Sequence, residues 1–303
     1  MAEAGGRSVH RSVQVDHVLR FVALPAGGEL LDLTHGAGGH AEAVLERVPE
    51  SRVVGVDRDP EILEVARARL ERFGERARTV VSAFDRVDEI CERSERERFD
   101  AVLLDLGVSS LQLDRADRGF SFDQDGPLSM QMGPDATRSA AQLVNEGSRD
   151  ELLFAIGTLG EEPRAKRIVD EILNARRRAP IRRTCELADL IRDVARGPSG
   201  HHPATRSFQG LRMVVNDELG MLERVIPRAI ARLNDGGRMV VISFHSGEDR
   251  VVKNAFRDLG RRGDVKVLTT KPVSPAADEV ARNPRARSSR LRAAERTING
   301  GAL

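Results

Sequence analysis

Apolar residues gather in short runs through the first third of the chain, and the runs alternate with stretches of helical spacing. Leu30-Leu31-Asp32-Leu33 reads as a strand, and after a glycine turn Gly39 to Val48 reads as a helix. Val53-Val54-Gly55-Val56 predicts a second strand. Pro60 opens a helix through Arg72, because Ile62, Leu63, Val65, Ala66 and Leu70 recur at helical spacing. Thr79-Val80-Val81 and Ala101-Val102-Leu103-Leu104 predict strands three and four. Such alternation predicts an α/β protein, a parallel sheet with helices on both faces.

The alternation then stops. Residues 114–136 are rich in Asp, Gly and Pro and read as loop. From Ser139 to Arg196 the pattern is helical, with segments at Asp150–Thr158, Arg164–Arg177 and Cys185–Arg196. Helical texture resumes from Ala204 to Leu233, with a break expected near Gly220. Gly236-Gly237 reads as a turn and Arg238 to Phe244 as the fifth strand; Val265–Thr269 and Ser289–Arg296 are candidates for the last two. Asp105 and Arg238 are 133 positions apart, whereas an ordinary crossover needs little more than about a dozen residues. An α-helical subdomain inserted between strands four and five accounts for the excess. The expected division is residues 1–113 and 206–303 for the sheet domain and 114–205 for the insert.

Composition narrows the class. The 303 residues are 40% hydrophobic and 31% charged, the balance of a globular protein. No apolar run approaches the about 20 residues of a membrane helix, and Met1 to Arg7 lack the apolar core of a secretory signal, so a cytoplasmic location with no membrane partner is expected. Cys91 and Cys185 are isolated and His201-His202 are poorly spaced for ligation, so no metal is expected. Net charge is only +1, but arginines crowd two regions, 176–183 and 282–296. They suit phosphate contacts, or they are solvated faces of a chain whose lysines are confined to 166, 253, 266 and 271.

Chemistry enters at the first turn. Gly36-Ala37-Gly38-Gly39-His40-Ala41 fits G-x-G-x-x-A between a strand and a helix, and Asp57 ends the second strand 21 residues after Gly36. This describes a nucleotide-binding βαβ unit, with glycines letting the protein backbone approach the ligand closely and the acid on ribose hydroxyls. NAD and S-adenosylmethionine both fit. Asp32 favours the second: a carboxylate about 4 Å from a pyrophosphate would repel it by roughly 4 kcal/mol at an effective dielectric near 20, whereas it suits an ammonium and a sulfonium. Phe84 follows strand three, placed to lie on an adenine or to join the core. Asp105 ends strand four in Asp105-Leu106-Gly107-Val108-Ser109-Ser110, where open α/β sheets bind ligands. An acceptor there can localise the lone pair of an exocyclic amine for in-line attack on a methyl group; otherwise it caps a turn. Gln112 and the two serines could hold a base edge. His245, at the next strand end, is a proton shuttle or a hydrogen-bonded structural histidine.

These residues resemble the ribosomal small-subunit methyltransferase H family. The resemblance runs nearly end to end. It includes Asp32 to His40, Asp57, Asp105 to Ser110, Arg118-Gly119-Phe120-Ser121-Phe122 and Asp125-Gly126-Pro127-Leu128. It continues through Pro203 to Gln209, Val215-Asn216-Asp217-Glu218-Leu219, Ser243-Phe244-His245-Ser246 and Asn283 to Ser289. It implies a Rossmann-like class I methyltransferase sheet with an inserted helical, substrate-recognising subdomain. It implies S-adenosylmethionine contacts at Gly38, Gly39, His40, Asp57, Phe84, Asp105 and Gln112, with Asp105 as the candidate catalytic residue. The implied reaction is methylation of N4 of a decoding-region cytidine in 16S rRNA. The chain departs from the family pattern at His35, Leu111, Ser129, Gly247 and Pro163-Arg164, mostly toward the presumed RNA side. An NAD-dependent oxidoreductase and a non-catalytic RNA-binding assembly factor are the competing readings. The oligomeric state stays open, a homodimer included.

Overall fold

The computed structural model describes residues 12–107, 110–195 and 202–297; Val108, Ser109 and His201 lie outside them. The chain divides into two compact units, residues 1–107 with 222–303 and residues 108–221.

The first unit is a seven-stranded sheet. Its strands are β1 (Glu29–Asp32), β2 (Arg52–Asp57), β3 (Ala77–Val81), β4 (Phe99–Asp105), β5 (Leu233–Ser243), β6 (Val265–Val267) and β7 (Arg290–Arg296), in the order β3-β2-β1-β4-β5-β7-β6. Only β7 runs antiparallel to its neighbours. This is the Rossmann-like class I methyltransferase sheet that the resemblance implied. Alternate residues face opposite sides. Leu30, Val53, Ala101 and Leu103 pack with helices α1 (Val15–Val22) and α2 (Gly39–Arg47). Leu31, Val54, Val102 and Leu104 form the other face, where Val87 and Ile90 of α4 (Val87–Ser94) join them. Helix α3 (Pro60–Leu70) starts as its sequence predicted, with Pro60 in the first turn and the Asp59 side chain accepting from Glu61 N. Strand order reverses between β1 and β4, so the crevice at their carboxyl ends is the natural ligand position.

The second unit is helical: α5 (Ser110–Asp114), α6 (Ala140–Glu146), α7 (Arg149–Leu153), α8 (Ala165–Arg176), α9 (Thr184–Val194) and α10 (Thr205–Val215). Leu143, Ile156, Ile168, Ile172, Leu187, Ile191 and Leu211 are fully buried in its core. Ser139 and Ser148 cap α6 and α7 in reciprocal boxes with Gln142 and Glu151. Helix α10 crosses the π-helical turn Phe154–Leu159 closely, because Gly210 has no side chain: a Cβ there would stand 2.0 Å from Ala155 O. Helices α11 (Glu218–Ala231), α12 (Ser246–Arg262) and α13 (Ala277–Arg282) follow, α11 joining the sheet core from Leu222 onward. No helix among the described residues is long and apolar enough to cross a membrane.

Several boundaries differ from the sequence reading, and the compact units divide at 107/108 and 221/222 where 113/114 and 205/206 were expected. The helix break falls at Asn216-Asp217, where Asp217 adopts φ 49°, and Gly220 lies inside α11. The Gly236-Gly237 turn is a bulge within β5: pairing passes from Phe99↔Leu233 to Ala101↔Arg238. The Asp150–Thr158 helix is α7 running into the wider π-helical turn.

Candidate active site

The carboxyl ends of β1, β2 and β4 carry the acids that the sequence singled out. Gly36 and Gly38 both have positive φ, 52° and 79°, so the turn that opens α2 needs glycine. A Cβ on Gly38 would stand 3.2 Å from Leu70 Cδ1. Asp57 closes the turn: its Oδ2 accepts from Gly36 N at 3.0 Å and its Oδ1 from Asp59 N at 3.0 Å. Burial pushes the Asp57 carboxyl above its ordinary value, against those two N–H bonds. Each oxygen keeps a second lone pair, which suits the hydroxyls of a ribose.

Asp32 is buried and turned inward. Its Oδ2 stands 3.1 Å from His35 Nδ1 and its Oδ1 accepts from Thr34 N at 3.4 Å. His35 lies flat where Gly55 lacks a side chain, its Nδ1 2.3 Å from the place a Cβ would occupy. Asp32 therefore reaches a ligand through its field. His35 holds the carboxylate in place.

At the end of β4, Asp105 Oδ2 stands 3.2 Å from His40 Nε2. An ionised carboxylate only accepts, so Nε2 carries the hydrogen. Burial lowers the His40 pKa, but the hydrogen bond and charge of Asp105, with the charges of Asp32 and Glu279, more than reverse this, and the net shift is upward. Asp105 N donates to Thr34 Oγ1 at 2.6 Å. Asp105 Oδ1, His40 Nδ1 and His35 Nε2 are buried without a partner among the described residues. Unpaired buried polar atoms are uncommon and mark places where a ligand or water completes the set. Two of them converge on one hydrogen-bonded pair beside the glycine turn, so the residues fit a cationic, ribose-bearing group.

The remaining expectations resolve individually. Phe84 is half-buried against the sheet core, so packing is one of its roles. Gln112 is buried in α5 of the other unit. His245 has a structural role: its Nδ1 accepts from Glu248 N at 3.4 Å, and Glu248 Oε2 accepts from Phe244 N at 2.8 Å, capping α12. The arginine clusters are partly structural too. Arg292 holds Asp249 at 2.6 and 3.1 Å, Arg282 holds Asp278, and Arg176 donates to Val144 O and Gly147 O. Arg285 and Arg287 sit exposed on the turn Pro284–Ser288. Thr34 and Ser12 were missed. Ser12 Oγ lies 2.1 Å from where a Gly39 Cβ would stand, so Ser12 rests on the glycine turn. The threonine inside the motif was the available signal; nothing in the pattern pointed to Ser12.

Residues 7–297 match the MraW methylase family. Ribosomal RNA small subunit methyltransferase H of Geobacter sulfurreducens is 45% identical over 306 residues, covering 95% of this chain and 98% of its own. The protein of that name from Nitratidesulfovibrio vulgaris strain DP4 is 44% identical, covering 95% and 96%. Among solved structures, an rRNA methylase from Streptococcus thermophilus aligns over 96% of this chain and 99% of its own, with 11% identity and a TM-score of 0.45.

Proposed function

Since this chain belongs to the MraW methylase family, we propose that it transfers a methyl group from S-adenosylmethionine to 16S rRNA of the small ribosomal subunit, at N4 of a decoding-region cytidine. Asp57 holds the ribose hydroxyls of the donor. The turn at Gly36, Gly38 and Gly39 receives its methionine portion, Phe84 lies along the adenine and Gln112 is a further residue for the donor. The donor supplies the electrophilic methyl and leaves as the neutral thioether. Asp105 accepts from the cytidine amine, localising its lone pair for in-line attack, and the target base leaves its stack to reach the methyl. Arg285 and Arg287 meet RNA phosphates, the insert recognises the substrate, and the reaction is cytoplasmic.

The observation that carries this reading is the unpaired, buried Oδ1 of Asp105 at the end of β4. It is supported by relatives of nearly equal length that are named for this class of substrate. The test uses purified protein, methyl-labelled donor and small subunits lacking the modification. Digestion and mass spectrometry should find N4-methylcytidine as the labelled product. Label confined to another nucleotide, or to protein, overturns the assignment.

A further inference from the structure

Asp105 is held at both ends by its own unit. Thr34 Oγ1 takes its backbone N–H at 2.6 Å, and His40 Nε2 stands 3.2 Å from Oδ2. One carboxylate oxygen, Oδ1, is buried and left without a partner among the described residues. The charges of Asp105 on β4, Asp32 on β1 and Glu279 on α13 all act on the imidazole. A histidine so placed persists as the donor of the pair. A free carboxylate rotates about its terminal torsion; a carboxylate pinned through Oδ2 presents Oδ1 in one direction.

We propose that His40 is the positioning residue of methyl transfer, fixing Asp105 through Oδ2 so that Oδ1 alone meets the substrate amine. This rests on the methyl-transfer reading above. In the step itself the amine nitrogen's lone pair forms the N–C bond to the methyl. The C–S bond breaks and its electron pair returns to sulfur, which becomes a neutral thioether. The proton released by the nitrogen passes to Asp105 Oδ1 and from there to water. His40 neither gives nor takes a proton, and acts through the direction it imposes on Asp105.

A residue that only holds the donor would change donor affinity, and its removal would multiply with the loss of Asp105. A residue acting through Asp105 loses its effect once Asp105 is gone. The experiment measures the single-turnover rate at saturating S-adenosylmethionine on undermethylated small subunits, and donor affinity by calorimetry without RNA. The variants are His40→Ala, His40→Gln, Asp105→Ala and His40→Ala/Asp105→Ala. We expect His40→Ala to slow the rate at saturating donor about 100-fold, over and above any change in donor Kd, the scale of a mispositioned general base. His40→Gln, whose amide N–H can reach Oδ2, should restore at least about tenfold of that loss, and the double variant should be no slower than Asp105→Ala. A wild-type saturated rate in His40→Ala with weakened donor binding overturns the proposal, as do multiplying losses in the double variant. If His40→Ala does not fold, His40→Gln with and without Asp105→Ala makes the same comparison. Should wild-type protein methylate a different nucleotide, the cytidine assignment falls, while the same four variants on that nucleotide still test the dyad.

Discussion

The two units bury polar side chains for different ends. In the insert, Asn216 donates to Met130 O at 2.7 Å and Arg212 O at 3.0 Å and accepts from Met132 N at 2.9 Å. Asn145 likewise joins Ala141 O, Ile181 O and Ile181 N, and Thr184 Oγ1 accepts from Gly126 N at 3.0 Å. These groups are saturated by the chain and tie the loop that precedes α6 to the helices. At the carboxyl ends of β1 and β4, His35, His40 and Asp105 each keep one buried atom unpaired. Among the described residues of the insert only Ser207 Oγ does so. A polar group buried for folding is satisfied internally, while one buried for chemistry reserves an atom for what binds.

The difference breaks if chemistry and stability fail to separate on mutation. Asp105→Ala should lower the saturated methyl-transfer rate by about 1,000-fold, roughly 4 kcal/mol of barrier, with a smaller shift in urea unfolding than Asn216→Ala, because removal of the unsatisfied Oδ1 offsets the loss of the acceptor for His40 Nε2. Asn216→Ala should do the reverse. It strands Met130 O and Met132 N, and about 2–3 kcal/mol of stability should be lost, read as a lower urea midpoint with donor affinity retained. An Asn216 variant of wild-type stability would remove the insert from the comparison. Gly38→Ala stands between the two. Its φ of 79° and the 3.2 Å approach of Leu70 Cδ1 strain any side chain there. Donor affinity should fall about tenfold, near 1.4 kcal/mol, by calorimetry.

Much of this was legible before any coordinates. Strand-end acids at Asp32, Asp57 and Asp105 follow from apolar runs terminated by a carboxylate, and the glycine turn follows from its spacing. The inserted unit follows from the distance between Asp105 and Arg238, a constraint of connectivity. Pairings between distant positions were not legible. Thr34 with Asp105, and His40 with the same carboxylate across 65 positions, depend on β1 and β4 lying side by side. Nor could periodicity place the bulge at Gly236 inside β5, because a turn of that composition more often ends a strand than interrupts one. The motifs at Gly119, Asp125 and Asn216 entered only through the resemblance, and their partners in the fold came from the structure. Asp125 holds Arg183 and accepts from Cys185 N at 3.1 Å, so a local clamp is one of its roles.

The smallest expected effect is also the one that sets the units against each other in sign. His40 has a folded-state pKa above 6.5, the net of burial opposed by Asp105, Asp32 and Glu279. Protonation therefore favours the folded sheet unit: the contribution is fully present below pH 6.5 and is lost as pH rises through the folded value. In the insert, Asp125 is held below its ordinary 3.8 by Arg183 and by Cys185 N, and Glu151 below 4.5 by Ser148 N and Arg138. Their contribution is present above those ordinary values and is lost as pH falls through the folded ones, and both groups are exposed enough for salt to screen much of it. Hydrogen exchange, corrected for intrinsic rates, separates the units by residue. Lowering the pH through the folded value of His40 toward 6.5 should slow exchange at β4 amides while the α6 and α7 amides hold steady. Lowering it further, below the ordinary carboxylate values, should loosen α7 and its neighbours. His40→Gln should abolish the first change and leave the second intact. An unchanged β4 response in that variant would mean that the acids around the glycine turn act on stability without the imidazole, and the distinction between the two units would then rest on chemistry alone.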